Sequence, residues 1–342
     1  MYHPERVSEW LKGKNIYPIY VEIAPAGTCN HRCIFCALDY MEYKPVFLDT
    51  ELISKNLAIM SECGVKSVMY AGEGEPLLNK NTPEIVNLTK SLGLDVSMTS
   101  NGVFFTNEIA QSCINSFTWV RFSVNAGTSG TYKKVHKGKD GDFEKVITNI
   151  SNAVKIKKDK KLKTTIGVQL LLIPENKHEV FVLAKLLKET GIDYFSVKPY
   201  SQHPKSVNTI DTSFDYDEHL DLERQLAELQ TENFNIIFRS NAMKKLKSSR
   251  YYNKCYGMPF WAYVDAGANV WACSAYLGDK DFCYGSLKEK NFIEIWNSGK
   301  RRQIIRKAEK MDISECREIC RLDEINRYLY RLRNPEEHDN FI

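Results

Sequence analysis

The 342-residue sequence lacks any long apolar run. Its longest, Ile166 to Ile173, is broken by Gly167 and Gln169 and falls far below the roughly 20 residues a membrane span needs. A signal-peptide core is missing as well, since Met1 to Trp10 places His3, Pro4, Glu5 and Arg6 where an apolar segment would stand. These absences lead to the expectation of a cytoplasmic protein with no membrane partner. Nor is there an excess of one charge: 47 Lys and Arg face 43 Asp and Glu, so no nucleic-acid partner is expected. No repeat is present, and the single biased stretch, Lys155 to Lys163, reads as a solvated helix end. Apolar residues at 43% are enough for a substantial core, which excludes a disordered chain.

Cysteine, by contrast, is plentiful at ten residues. In a reducing compartment a disulfide framework is not expected, so clustered cysteines read as metal or redox ligands. Cys29, Cys33 and Cys36 crowd near the start, and Cys255, Cys273, Cys283, Cys316 and Cys320 fall in the last quarter. Cys63 and Cys113 sit alone in helix-like stretches and read as small buried hydrophobes.

From Tyr17 to Tyr200 strand-like and helix-like segments alternate, giving strands near 17–24, 66–71, 95–99, 119–124, 164–172 and 194–199. Strand–helix–strand repetition implies a parallel sheet with crossover helices. Six such units are fewer than the eight of a closed barrel, so an open partial barrel is expected, with its ligands at the C-terminal strand ends. The chemistry-bearing segments fall there: the first cysteine cluster, Gly72-Glu73-Gly74-Glu75-Pro76, Ser100-Asn101-Gly102, Ser123-Val124-Asn125, and Lys198 to His203. After Tyr200 comes a Ser/Thr/Asn-rich loop, then a charged amphipathic helix over 218–231. Trp261 to Trp271 reads as a hairpin turning at Asp265-Ala-Gly-Ala-Asn269. The expected division is a lead-in at 1–16, the barrel at 17–210, a linker helix at 211–232, a second domain at 233–333 and a tail at 334–342.

Cys29-x3-Cys33-x2-Cys36 places three thiolates within eight residues of a loop. The gaps suit a cube-shaped iron–sulfur cluster better than the paired knuckles of structural zinc. With no fourth cysteine nearby, one iron would stay open to a small molecule. A zinc loop completed by His31 is the alternative, but His31 lies between two ligands, where its ring is expected to turn away. The spacing, with Phe35 before the last cysteine, resembles the signature of the radical S-adenosylmethionine superfamily. The resemblance covers the barrel and implies a [4Fe-4S] cluster at Cys29, Cys33 and Cys36 whose open iron chelates S-adenosylmethionine. It further implies reductive cleavage to a 5′-deoxyadenosyl radical, with electrons from a flavodoxin- or ferredoxin-type donor. Gly72, Glu73, Gly74, Glu75 and Pro76 resemble the family's Gly-Gly-Glu-Pro loop, with Glu73 replacing a glycine. By that likeness the loop, with Glu75, would receive the cosubstrate's amino group, and Ser100, Asn101, Ser123 and Asn125 would line its site.

Cys255 and Cys273 flank the hairpin, and Cys316 and Cys320, four apart, read as neighbours on one helical turn. Two pairs make a four-thiolate site, which zinc could also fill. With Gly267, Tyr284-Gly285-Ser286-Leu287 and Ile295-Trp296-Asn297, the layout resembles the Twitch form of the SPASM extension and implies one auxiliary [4Fe-4S] cluster. The fold class is therefore α/β, a partial (β/α)6 TIM-like barrel with a C-terminal α+β Twitch/SPASM-like extension. Cys283 is left as a spare thiol, a substitute ligand or a hydrogen donor to substrate.

The domain plan resembles that of Twitch-containing aminocyclitol dehydrogenases, which implies an oxidoreductase of dehydrogenase or epimerase type. Its expected substrate is a small polar molecule: a sugar, an aminocyclitol or a nucleotide-linked sugar. Lys198, Tyr200 and His203, with Cys283, are the candidate catalytic residues, offering an amine, a phenol, an imidazole and a thiol. Peptide maturation is the competing reading; with 28 residues ahead of Cys29, no fused leader-binding module is expected. A non-catalytic iron–sulfur electron carrier is the more distant one.

Overall fold

The computed structural model describes residues 2–211 and 214–341. The outermost residues of the expected lead-in and tail, and two residues at the start of the expected linker, lie outside that range. Ten strands form one sheet: β1 (Tyr20–Ile23), β2 (Ser67–Tyr70), β3 (Asp95–Ser100), β4 (Trp119–Ser123), β5 (Thr165–Leu172), β6 (Tyr194–Pro199), β7 (Asn235–Phe238), β8 (Trp261–Val264), β9 (Asn269–Trp271) and β10 (Cys283–Ser286). Their order is β10-β9-β8-β1-β2-β3-β4-β5-β6-β7, so the sheet is unclosed. Every pairing from β8 through β1 to β7 is parallel; β8–β9 and β9–β10 are antiparallel.

The crossover helices arise from ordinary signals. Asp49 caps Thr50–Glu62 by accepting from the Leu52 N–H, and Thr106 caps Asn107–Cys113 in the same way. Along each strand one set of alternate residues packs under the helices. In β4, Val120 and Phe122 are fully buried there, while Trp119, Arg121 and Ser123 face the interior of the barrel. One continuous core built from Val21, Ile53, Val68, Val96, Val168 and Phe195 with their neighbours holds the helices to the sheet.

Strands β1 to β6 lie where the alternation placed them, with ends shifted by a few residues. Two features of the sheet go beyond that expectation. A seventh parallel strand, β7, pairs Phe195 with Ile236 and Val197 with Phe238; its four residues are too few to show a period. The hairpin expected in a separate second region instead continues the barrel sheet, with Tyr20 beside Trp261 and Ile23 beside Val264. This pairing satisfies a backbone edge that β1 would otherwise leave open.

Three local expectations need correction. The helix expected from Glu175 starts at Val180, because the Asn176 side chain bonds the Ile173 N–H and the Leu171 and Asn125 carbonyls and holds a turn. A helix over Ser129–His136, capped by Thr128, was not anticipated; Gly130 and Thr131 mask its pattern. Cys316 and Cys320 are not on an α-helical turn. Cys316 is extended, and the Arg250 guanidinium gathers the carbonyls of Ile313, Cys316, Arg317 and Glu318, shaping the segment as a loop. Among the described residues, no helix is long and apolar enough to cross a membrane.

Candidate iron–sulfur and cosubstrate site

The loop after β1 is held by backbone bonds to the unexpected helix: Arg32 N–H donates to the His136 carbonyl at 3.1 Å and Ile34 N–H to that of Val135 at 2.9 Å. These bonds gather Cys29, Cys33 and Cys36. Burial pushes all three thiols up, Cys29 to about 12; Cys29 also feels Cys36, and Cys33 feels both Cys29 and Cys36. Thiols so placed are poor free acids, but they suit a polycationic iron core that would hold them as thiolates. The donor set therefore fits a cluster.

Sulfur-directed donors surround it. His31 N–H lies 3.5 Å from Cys29 Sγ, and Asn101 Nδ2 lies 3.9 Å from the same atom. His136 Nδ1 is 3.2 Å from Cys33 Sγ, while its Nε2 faces the Asn125 N–H at 3.2 Å. Because Asn125 can only donate there, Nε2 accepts and the proton belongs on Nδ1, pointing at sulfur. Burial, with His31 beside it, keeps His136 neutral. His31 departs from expectation: its ring is turned inward, with Nε2 3.1 Å from Asp142 Oδ2 and its face near Tyr132 and His136. One atom each of His31, Cys33 and His136 lies within 4.8 Å of the others. Both His136 nitrogens are already engaged, however, so this trio offers a metal fewer free donors than the three thiols do. Replacing His136 by Ala removes an N–H donor to sulfur, so the midpoint potential of the cluster at Cys33 is expected to fall by roughly tens of millivolts, read by EPR-monitored redox titration.

Gly72 to Pro76 lies against this loop. Gly72 has φ +122°, and a side chain there would strike Ala24 and Tyr263; at Gly74 one would reach 1.9 Å from the Thr28 carbonyl. The close approach lets Glu75 N–H bond Thr28 O at 2.9 Å. Glu75 is buried and its carboxylate accepts three bonds: Ser100 Oγ and the Asn101 N–H each donate at 2.7 Å, and the Leu77 N–H at 3.2 Å, leaving Oε2 with one acceptor position open. Ser100 also accepts from the Gly102 N–H. Asn101 bonds Asn30 and the Val103 N–H, and Asn125 bonds His136 and the Leu171 N–H. Ser100, Asn101 and Asn125 thus brace the strand ends, whereas the Ser123 hydroxyl makes no hydrogen bond among the described residues.

Glu73, the departure from the glycine pattern, lies beside Tyr263, Asp265 and Ala266 of the hairpin, and its Oε1 and the Tyr263 hydroxyl are both buried without a hydrogen-bond partner among the described residues. Burial, with Asp265 adding to it, raises the Glu73 pKa from 4.5 to about 8. A folded-state pKa above the unfolded one means that stability falls as pH rises from about 4.5 to about 8. Glu73→Gln should flatten that slope in denaturant titrations across this range.

The second thiol set also converges. Cys255 feels Cys320 and Cys316, and Cys273 feels Cys320, Cys255 and Cys316. Donors point at three of the sulfurs: Leu322 N–H to Cys320 at 3.3 Å, Asn326 Nδ2 to Cys255 at 3.8 Å, and the Tyr276 hydroxyl to Cys316 at 3.9 Å. Cys283 stands apart on β10, its electrostatic neighbours being Lys300, Asp265 and Glu289.

The segment after β6 joins both sets. Ser201 O accepts from Arg317 Nη2 at 2.8 Å, and Ser206 Oγ donates to Cys36 O at 3.0 Å. The Asp39 carboxylate takes the Val207 and Asn208 N–H groups. Lys198 faces the barrel interior; burial, with Arg121, Arg317 and Arg239 beside it, lowers its pKa to about 7. Tyr200 donates to Gln202, and His203 stacks on Tyr40, with Nδ1 accepting from the Lys205 N–H. Burial, then Arg317 and Lys205, bring the His203 pKa to about 4, so the ring is neutral. Arg121, Arg317 and His136 escaped sequence reasoning. Arg121 alone left a trace, as a charge at an inward position of a strand.

Residues 23–187 match the family described as the Radical SAM superfamily, and residues 255–321 match the iron-sulfur cluster-binding domain SPASM. The chain carries a radical SAM domain followed by a C-terminal SPASM domain. These two domains imply S-adenosylmethionine, a [4Fe-4S] cluster and an auxiliary iron–sulfur cluster as cofactors. It is 28% identical over 174 residues to a probable GTP 3',8-cyclase of Saccharolobus islandicus, covering 51% of this chain and 54% of that protein. The match thus spans about half the length of that relative. With the probable GTP 3',8-cyclase of Saccharolobus solfataricus the identity is 26% over 240 residues, 70% of each chain. Among solved structures, Streptococcus suis SuiB bound to S-adenosylmethionine superposes with TM-score 0.67 at 16% identity, over 86% of this chain and 69% of that one. Native anSMEcpe with bound AdoMet gives 0.61 at 16% identity, over 86% and 84%. At these identities the structures speak for the fold.

Proposed function

We propose that this enzyme uses a 5′-deoxyadenosyl radical to take a hydrogen atom from a small polar substrate (a sugar, an aminocyclitol or a nucleotide-linked sugar), completing a two-electron alcohol oxidation or an epimerisation. Cys29, Cys33 and Cys36 would hold the cluster that binds S-adenosylmethionine, and Cys255, Cys273, Cys316 and Cys320 the auxiliary one. When bound, the first cluster supplies the electron that cleaves S-adenosylmethionine, and the second offers an electron a way out of oxidised substrate. Glu75 fixes the Gly72–Pro76 loop against the thiol loop, leaving loop carbonyls to receive the cosubstrate's ammonium and Ser123 free for a ribose hydroxyl.

The observation that carries the reading is Lys198. It is an amine of pKa about 7 on the inner barrel wall, in the strand whose following segment bonds both cysteine loops. Such an amine can take the proton of a substrate hydroxyl as the carbon is oxidised. The curated relatives, named as GTP cyclases, support a small molecule over a peptide. A flavodoxin- or ferredoxin-type donor and a cytoplasmic setting complete the proposal.

The test incubates reconstituted enzyme with S-adenosylmethionine, dithionite and candidate sugars in deuterated water. A substrate should stimulate 5′-deoxyadenosine release and yield a ketone, or an epimer carrying one solvent deuterium. Stimulation by peptides alone would contradict the substrate class.

A further inference from the structure

The inner wall carries a group of cations with no matching anions. Arg121 projects inward from β4, and Lys198 from β6. Arg239 follows β7, its N–H donating to Val197 O at 2.9 Å, which sets it beside Lys198. Arg317 enters from the loop between Cys316 and Cys320, where Ser201 O receives its guanidinium. All three arginines act electrostatically on Lys198. None of the four makes an ion pair with a carboxylate among the described residues, although Lys157, Lys245 and Arg327 each find one. Glu22, the acidic residue on the inner face of β1, is taken by Arg321.

Arg239 is exposed, but Arg121, Lys198 and Arg317 are half-buried, and holding like charges together away from water is costly unless something compensates them. The thiol sets account for only part of it: Arg317 lies near Cys320, but the neighbours of Arg121 are Tyr194, Tyr20 and Arg239. Arg121 gives one bond to Thr99 Oγ1 at 3.2 Å and lies over Trp119, and its buried Nε has no partner. A guanidinium held by a ring and a hydroxyl, with an N–H unused, is set for a planar two-point grip on an oxyanion.

We propose that Arg121, Arg239 and Arg317 form an oxyanion subsite inside the barrel, beside Lys198, that holds a phosphoryl group, making the substrate a phosphorylated small molecule. Several fixed cations with no carboxylate among them match the charge of a phosphate or diphosphate better than that of a neutral sugar. The inference rests on the reading above, and it adds that an anionic group of the substrate, held by the arginines around Lys198, positions the reacting carbon at that amine.

The test is calorimetric titration of inorganic phosphate, and separately of pyrophosphate, into the anaerobically reconstituted enzyme with S-adenosylmethionine present. Its EPR signal is recorded on the same sample. Saturable binding of either anion is expected, weakened about tenfold or more by Arg121→Gln and by Arg239→Gln. Iron content and circular dichroism report whether each variant is folded. Arg239 is exposed at the sheet edge, so Arg239→Gln keeps the test open if Arg121→Gln fails to fold. Stronger binding of pyrophosphate marks a diphosphate-linked substrate, and comparable binding of phosphate marks a monoester; both support the subsite. If S-adenosylmethionine perturbs the EPR signal while neither anion binds, or binding is equal in folded variants, this inference is overturned and the radical reading stands. If S-adenosylmethionine has no effect on the signal, both are overturned.

Discussion

An enzyme carrying Cys33→Ala should keep its fold, retain the auxiliary iron and release no 5′-deoxyadenosine. Removing one buried sulfur costs roughly 1 kcal/mol, little for a core of this extent. The functional loss should be complete, since two thiols cannot replace three around a cluster that already leaves one corner to the cosubstrate. Iron analysis after anaerobic reconstitution should show about half the wild-type content. The same substitution at Cys273 should give the converse, with the S-adenosylmethionine-responsive signal retained and substrate turnover lost. Equal losses from both substitutions would show that the two thiol sets do not act as separate sites.

Glu75→Ala should be the most damaging single change outside the cysteines. Its carboxylate accepts from Ser100 Oγ, Asn101 N–H and Leu77 N–H, all in the buried seam between the Gly72–Pro76 loop and the end of β3. Burial raises the Glu75 pKa, partly countered by these bonds. Alanine leaves three donors stranded, and a loss of about 3–5 kcal/mol is expected from the denaturation midpoint. Because the Glu75 N–H also anchors Thr28 next to Cys29, affinity for S-adenosylmethionine should fall with stability. Glu75→Gln keeps one acceptor oxygen but turns an amide N–H₂ toward another donor, so about half the loss is expected. An alanine variant as stable as wild type would show that the seam is held by packing alone.

Much of this molecule was legible before its structure. Strands β1 to β6 announced themselves because buried parallel strands read as short apolar runs between capped helices, as with Asp49 and Thr106. The thiol loops were visible because spacing of cysteines is a covalent property of the chain. What stayed hidden depends on distant partners. His136 reaches Cys33 across 103 residues, and nothing local in Thr128 to His136 marks its role. Arg317 reads as one more charged loop residue until Ser201 fixes it. Ser100 and Asn125 have the residue types of a ribose site, but no local signal shows that Ser100 bonds Glu75 and Asn125 bonds Leu171, partners 25 and 46 residues away. The hairpin's turn was readable while its sheet partner was not, because β1 and β8 are joined by register, without any shared sequence signal.

The central claim is that one iron of the cluster at Cys29, Cys33 and Cys36 is left for S-adenosylmethionine. EPR of the reduced, reconstituted enzyme with and without that cosubstrate tests it most directly. The account predicts two cluster signals, of which one changes on addition and disappears in Cys33→Ala. Signals unmoved by S-adenosylmethionine, or zinc in place of iron at both thiol sets, would contradict it.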